Sequence, residues 1–179
     1  QSEVLASGFD QLYGVAVAPG GTVIFAELGR GRVLSVASGK VEELATGLRQ
    51  PVGVASSTSG TCFISESGAG RVVKPTRGGV DTVLDGLQHP QGILVRGDLL
   101  YIVDAGAQEL IECDTINRTR RTIASDLPVG APPGVVPKFI GAIGDMSGPM
   151  GPFAGITAGP DGTLYLSADA EGSILALRP

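Results

Sequence analysis

The stretch LRQPVGVASSTSGTCFISESGAGR, residues 48–71, reads as loop, strand, turn, strand, turn. Its apolar runs are short and each is bounded by glycine, serine or proline. Runs of this kind are strands, since a helix needs about ten or more residues of 3.6-residue periodicity.

The same pattern recurs on both sides. Residues 13–19 (YGVAVAP), 22–27 (TVIFAE), 32–37 (RVLSVA) and 40–44 form a first set of four strands. Residues 52–87 and 91–127 hold two more sets in the same order, and a fourth set begins at Gly155-Ile156 and runs to 177. The glycine before each first strand falls at positions 14, 53, 92 and 155, with spacings of 39, 39 and 63. A period of about 40 residues with four strands per repeat marks a β-propeller. The fold class is all-β: one domain, residues 1–179, of four sequence repeats, each a blade of four antiparallel strands.

The fourth repeat supplies three strands. The missing outermost one has a counterpart at the other end of the chain. Residues 2–9 (SEVLASGF) match 41–48 (VEELATGL), 80–87 (VDTVLDGL) and 120–127 (RRTIASDL), the segments that end the other repeats. The expectation is that this N-terminal strand completes the last blade, closes the ring and hides a sheet edge. A ring closed in this way is a monomer. If it does not close, the chain is an oligomer or has repeats missing.

Bulk composition narrows the function. Net charge is −5 and the pI is about 4.8, without the clustered Lys and Arg that a phosphate backbone requires, so nucleic acid is not an expected partner. No apolar run reaches the ~18 residues of a bilayer span. Cys62 and Cys113 fit no metal or redox spacing and are either free buried thiols or a disulfide. The sequence opens on Gln1 rather than Met, which suits a processed chain or part of a longer one. An extracytoplasmic or secreted location is the expectation.

The pattern Leu-x-x-Pro-x-Gly-Val/Ile, followed by Gly-x-x-Tyr/Phe-Ile-x-Asp/Glu-x-x-x-x-Arg-Val, resembles the repeat of NHL proteins. It is also similar to that of gluconolactonase and strictosidine-synthase-like propellers. Gln50-Pro51-Val52-Gly53 and His89-Pro90-Gln91-Gly92 carry it best. Ala18-Pro19-Gly20-Gly21-Thr22 and Ala158-Gly159-Pro160-Asp161-Gly162-Thr163 supply the turn. Two features depart from the family pattern: Gly31 and Gly70 stand where Asn often precedes the Arg, and these propellers usually have about six blades rather than four. The resemblance implies ligand binding over the central channel, on the face made by the loops leading into each first strand and those joining second to third strands. It implies an NHL-type binding module for a small molecule or protein partner. The alternative it implies is a divalent-metal-dependent hydrolase of the lactonase kind.

Candidate residues on that face follow. Glu27, Glu66 and Asp104 open the second-to-third loops, and Asp169 follows Ala168 at the matching place in the fourth repeat. Carboxylates at equivalent points of a ring are candidate ligands for Ca2+ or another divalent cation, which would polarise a carbonyl. They are equally candidates to cap turn amides or to pair with Arg32 and Arg71. No cofactor is required by either binding role. His89, the single histidine, is the candidate general base, or a loop residue doing what Gln50 does. No G-x-S-x-G nucleophile turn is present, and the Gly-rich strings join strands rather than open helices, so they are not phosphate loops. The insertion at 128–151, PVGAPPGVVPKFIGAIGDMSGPMG, adds Lys138, Phe139 and Asp145 to the binding face. It is a lid, a channel plug or a partner's docking site.

Overall fold

The computed structural model describes residues 2–132, 135 and 151–178. Fifteen strands follow the repeat. Blade 1 is β1 (Leu12–Val17), β2 (Val23–Glu27), β3 (Arg32–Ala37) and β4 (Lys40–Ala45). Blade 2 is β5 (Pro51–Ser56), β6 (Cys62–Glu66), β7 (Arg71–Thr76) and β8 (Gly79–Leu84). Blade 3 is β9 (Pro90–Arg96), β10 (Leu99–Asp104), β11 (Glu109–Asp114) and β12 (Arg120–Ala124). Blade 4 is β13 (Ile156–Ala158), β14 (Leu164–Ala168) and β15 (Ser173–Leu177). Each blade is one antiparallel sheet with its strands side by side in chain order. The four-bladed, all-β expectation is met.

The middle strands are apolar on both faces because blades pack on both faces. Ile64 of β6 faces blade 1, and Phe63 beside it faces blade 3; both are buried. One core layer fills each of three junctions. The first holds Ile24, Val33, Leu48, Val54 and Ile64, the second Phe63, Val72, Leu87, Ile93 and Ile102, the third Val103, Leu110, Leu127, Leu164 and Leu166. A register shift sits at the same place in the outer strand pair of three blades, at Val33/Leu34, Val72/Val73 and Leu110/Ile111. A bulge there bends and twists the outer strand toward the next blade.

The glycines before the first strands act at these junctions. A Cβ on Gly53 would lie 2.2 Å from the carbonyl oxygen of Gln91, and one on Gly14 would lie 2.6 Å from that of Val52. The inner strands approach closely only because these positions have no side chain.

One expectation is corrected. Blade 4 has three strands, and among the described residues nothing pairs with the far edge of β15. Residues 2–9 form no strand. They lie against blade 1, where Ala6 and Phe9 pack on Phe25, Leu34 and Val36, with the Phe9 and Phe25 rings edge-on at 4.8 Å. Burial of Phe9 and the bond from Arg30 to the Gly8 carbonyl hold the segment on that face. Cys62 and Cys113 are free and buried, the first of the two sequence alternatives. Burial pushes the Cys62 thiol up to about 12.

Candidate functional site

The loops leading into each first strand meet the second-to-third loops on one face, and the acids at 27, 66, 104 and 169 tie them together. The Asp10 amide donates to Glu27 Oε1 at 2.8 Å, and the Arg49 amide to Glu66 Oε1 at 2.7 Å. The Gln88 and His89 amides donate to the two oxygens of Asp104, each at 2.8 Å. The Gly130 amide donates to Asp169 Oδ1 at 2.8 Å. The second oxygen of each glutamate takes an arginine: Arg32 Nε reaches Glu27 Oε2 at 2.5 Å, and Arg71 Nε reaches Glu66 Oε2 at 2.7 Å. The Arg32 guanidinium is held above its ordinary pKa, first by its hydrogen bond to Glu27. Blade 3 has Glu109 where the arginine would stand, and Asp104 instead accepts a third amide, that of Ala107, at 3.4 Å.

Glu27, Glu66 and Asp104 are buried, and their lone pairs point at N–H donors of their own blade's loop. A shared hard cation needs several oxygens turned to one point. Here each acid faces donors that a cation would have to displace, and two face a guanidinium as well. Among the described residues no group of three His, Cys, Asp or Glu stands together to hold a metal. The four acids therefore do not fit a common calcium site. His89 uses its backbone: its amide goes to Asp104, and its carbonyl accepts from the Ala105 amide at 3.0 Å. Its ring is exposed beside Gly106. Lys138, Phe139 and Asp145 lie outside the described residues.

The channel is lined by other residues. Its walls are the first strands of all four blades, through Gly14, Gly53, Gly92 and Gly155 with Val15, Val54, Ile93 and Ile156, around about 270 Å³. Tyr13 and Phe153 stand edge-to-face across it, ring centres 5.9 Å apart. The Tyr13 hydroxyl accepts the Gly151 amide at 2.5 Å. Burial raises its pKa, partly offset by that bond. Gln91, on the first strand of blade 3, fixes the chain leading into blade 4: its Oε1 accepts the Ala154 amide at 2.6 Å. The sequence reading passed over Tyr13 and Phe153 in favour of charged residues. The available signal was their place beside the first-strand glycines Gly14 and Gly155.

No family model matches the chain, and no curated protein is similar to it in sequence. Solved structures are similar in fold. The streptogramin B lyase structure superposes with a TM-score of 0.69 at 15% identity, over 97% of this chain and 53% of the lyase chain. A gluconolactonase from Xanthomonas campestris gives 0.64 at 17% identity, over 98% of this chain and 78% of its own. A chain of the nidogen–laminin complex gives 0.64 at 18%, over 94% and 65%. The chain shares the β-propeller fold of these structures. It spans about half the length of the streptogramin B lyase chain. No helix among the described residues is long and apolar enough to cross a membrane.

Proposed function

We propose that this propeller is an NHL-type binding module that takes a small molecule or a segment of a protein partner over its central channel. The observation carrying this reading is the division of labour on the binding face. The carboxylates that would serve catalysis are spent on loop amides and arginines. What remains at the channel is a concave wall of glycine backbone and apolar side chains with the Tyr13–Phe153 pair. A mostly apolar hollow with a few fixed polar groups is the usual form of a recognition site. Propellers of this fold include a chain of the nidogen–laminin complex, which agrees with a binding role, and a lyase and a gluconolactonase, which keep hydrolysis as the competing reading.

One experiment separates the two. The protein is titrated with an anilinonaphthalene sulfonate dye as an aromatic probe, and in parallel assayed for hydrolysis of glucono-lactone with and without calcium. The binding reading expects saturable dye binding that Tyr13→Ala and Phe153→Ala each weaken by about tenfold, the loss of one aromatic contact, and no calcium-dependent turnover. Lactone turnover that requires calcium and is lost in Glu66→Gln would replace it with the hydrolase.

A further inference from the structure

The repeats separate what a blade needs from what is particular to one place. Three of the turns joining first to second strands share one backbone. The Ala18, Ser57 and Gly159 amides donate to the Thr22, Thr61 and Thr163 carbonyls at 2.8, 2.9 and 2.8 Å. Blades 1 and 4 build that turn from Ala18-Pro19-Gly20 and Gly159-Pro160-Asp161, and blade 2 builds it from Ser57-Thr58-Ser59. The turn therefore does not require the hydroxyls that blade 2 places there.

The turns joining third to fourth strands differ in the same way. Ser38-Gly39 suffices in blade 1 and Arg77-Gly78 in blade 2, whereas blade 3 has Thr115–Thr119 between β11 and β12. The longer turn is firmly held. The Thr115 amide and hydroxyl both donate to the Asp98 carbonyl at 2.9 Å, and Asp114 Oδ1 accepts the Ile116 and Asn117 amides at 2.8 and 2.9 Å. Arg118, at φ 56°, reaches across to blade 2, where its Nη2 lies 3.3 Å from Asp81 Oδ2. A second cation meets it there. Lys74 stands where blades 1 and 3 have Ser35 and Glu112, and its Nζ lies 3.4 Å from the same Asp81 oxygen.

These departures line one cleft between blades 2 and 3, on the face opposite the acids at 27, 66 and 104. Its volume is about 320 Å³, which reaches the ~300–1,000 Å³ usual for small-molecule sites. Buried Phe63 and Val83 form its apolar floor. Ser57, Ser59 and Thr61 line one side, their hydroxyls joined in a row at 2.8 and 3.3 Å, each able to donate or accept. Lys74 and Arg118 bring charge to it. Charge-assisted bonds close to ~2.7–2.9 Å, so the longer contacts to Asp81 leave both cations with N–H donors to offer. One carboxylate offsets one of the two charges and leaves a single positive charge. A phosphate monoester, at about −1.5 to −2, exceeds that charge and is repelled by Asp81 and by Asp98, which also lines the cleft. A carboxylate matches it.

We propose that this cleft is a second ligand site, separate from the channel, and that it takes a sugar carboxylate of the uronic acid class. The carboxylate lies between Lys74 and Arg118. The sugar hydroxyls exchange hydrogen bonds with Ser57, Ser59 and Thr61, and Asp98 accepts from one of them. The C–H face of the ring rests on the apolar floor. Both blades that form the cleft have all four strands, so its walls are complete among the described residues.

Isothermal titration with galacturonate tests this, with galactose as the uncharged counterpart. Galacturonate should bind saturably with a Kd of about 1 mM or tighter, and galactose at least about tenfold more weakly. Lys74→Gln and Arg118→Gln each remove a charge-assisted bond and should each weaken galacturonate about tenfold or more. These side chains are 39% and 56% exposed, so both variants should keep the wild-type circular dichroism spectrum and melting temperature, which controls for folding. Tyr13→Ala, in the channel, should leave galacturonate binding unchanged. Digalacturonate separates two sources of the same chemistry: equal affinity assigns the free sugar acid, and tighter binding assigns the end of an acidic polysaccharide. No galacturonate binding up to about 20 mM overturns the proposal. So does equal affinity for galactose, binding that both cation variants retain, or tighter binding of inorganic phosphate. Loss of galacturonate binding in Tyr13→Ala overturns it as well, because the sugar would then sit in the channel.

Discussion

Replacing Glu66 with alanine tests whether the acids on the binding face belong to the architecture. Glu66 is buried, and it joins two elements: Oε1 accepts the Arg49 amide and Oε2 accepts Arg71 Nε, both at 2.7 Å. Breaking a fully buried pair costs ~3–5 kcal/mol. The Arg71 side chain is 33% exposed, so water takes over its guanidinium and that half of the loss falls to ~0–1 kcal/mol. The Arg49 amide is part-buried, and leaving it without an acceptor costs ~1–3 kcal/mol. The sum is about 1–4 kcal/mol. At ~2–4 °C per kcal/mol for a domain of this size, the midpoint should fall by about 2–16 °C. Urea unfolding is the assay: the transition midpoint should move with its slope unchanged. Glu43→Gln, at a half-exposed side chain that pairs with Arg32, is the control and should stay within ~0.5 kcal/mol. A loss below ~0.5 kcal/mol for Glu66→Ala would refute the reasoning. So would a wild-type protein that gains stability on adding calcium and loses the gain in this variant.

Gly53→Ala should destabilise by at least ~2 kcal/mol, because its Cβ would meet the Gln91 backbone carbonyl at 2.2 Å and Ser65 Oγ at 2.6 Å; Gly78→Ala, with nothing within 4 Å, should be neutral or stabilise by up to ~1 kcal/mol. Thermal melts of the pair compare them directly. Cys62 should resist iodoacetamide in the folded protein and react once urea unfolds it, since the buried thiol stays protonated up to about 12. The same shift has a signed consequence for stability. Above the ordinary thiol value of 9.0 the unfolded chain releases this proton while the folded one keeps it, so stability contributed by the neutral buried thiol is lost as pH rises from about 9 to about 12. Cys62→Ala should flatten that part of the curve of stability against pH.

The repeat was legible because its signals are local. A first-strand glycine, a turn such as Pro19-Gly20-Gly21 and a run such as TCFISE each need only a few neighbouring residues to be understood. The acids were legible as positions but their role was open, since a carboxylate ringed by equivalent carboxylates and one capping an amide have the same sequence. The pairing of Tyr13 with Phe153 was out of reach: the Gly151 amide and the Tyr13 hydroxyl that meet beside it are 138 residues apart.

The sequence by itself determined four repeats, their strands, their turns and the match of residues 2–9 to the segments that end each blade. Tertiary structure alone decided where those residues go and that Val15 and Ile174 are left uncovered. The reason is physical. Strand identity follows from alternation along one chain, with a period of two. Ring closure follows from the small rotation between stacked sheets, which is set by how the layers at three junctions interlock and is written in no single repeat.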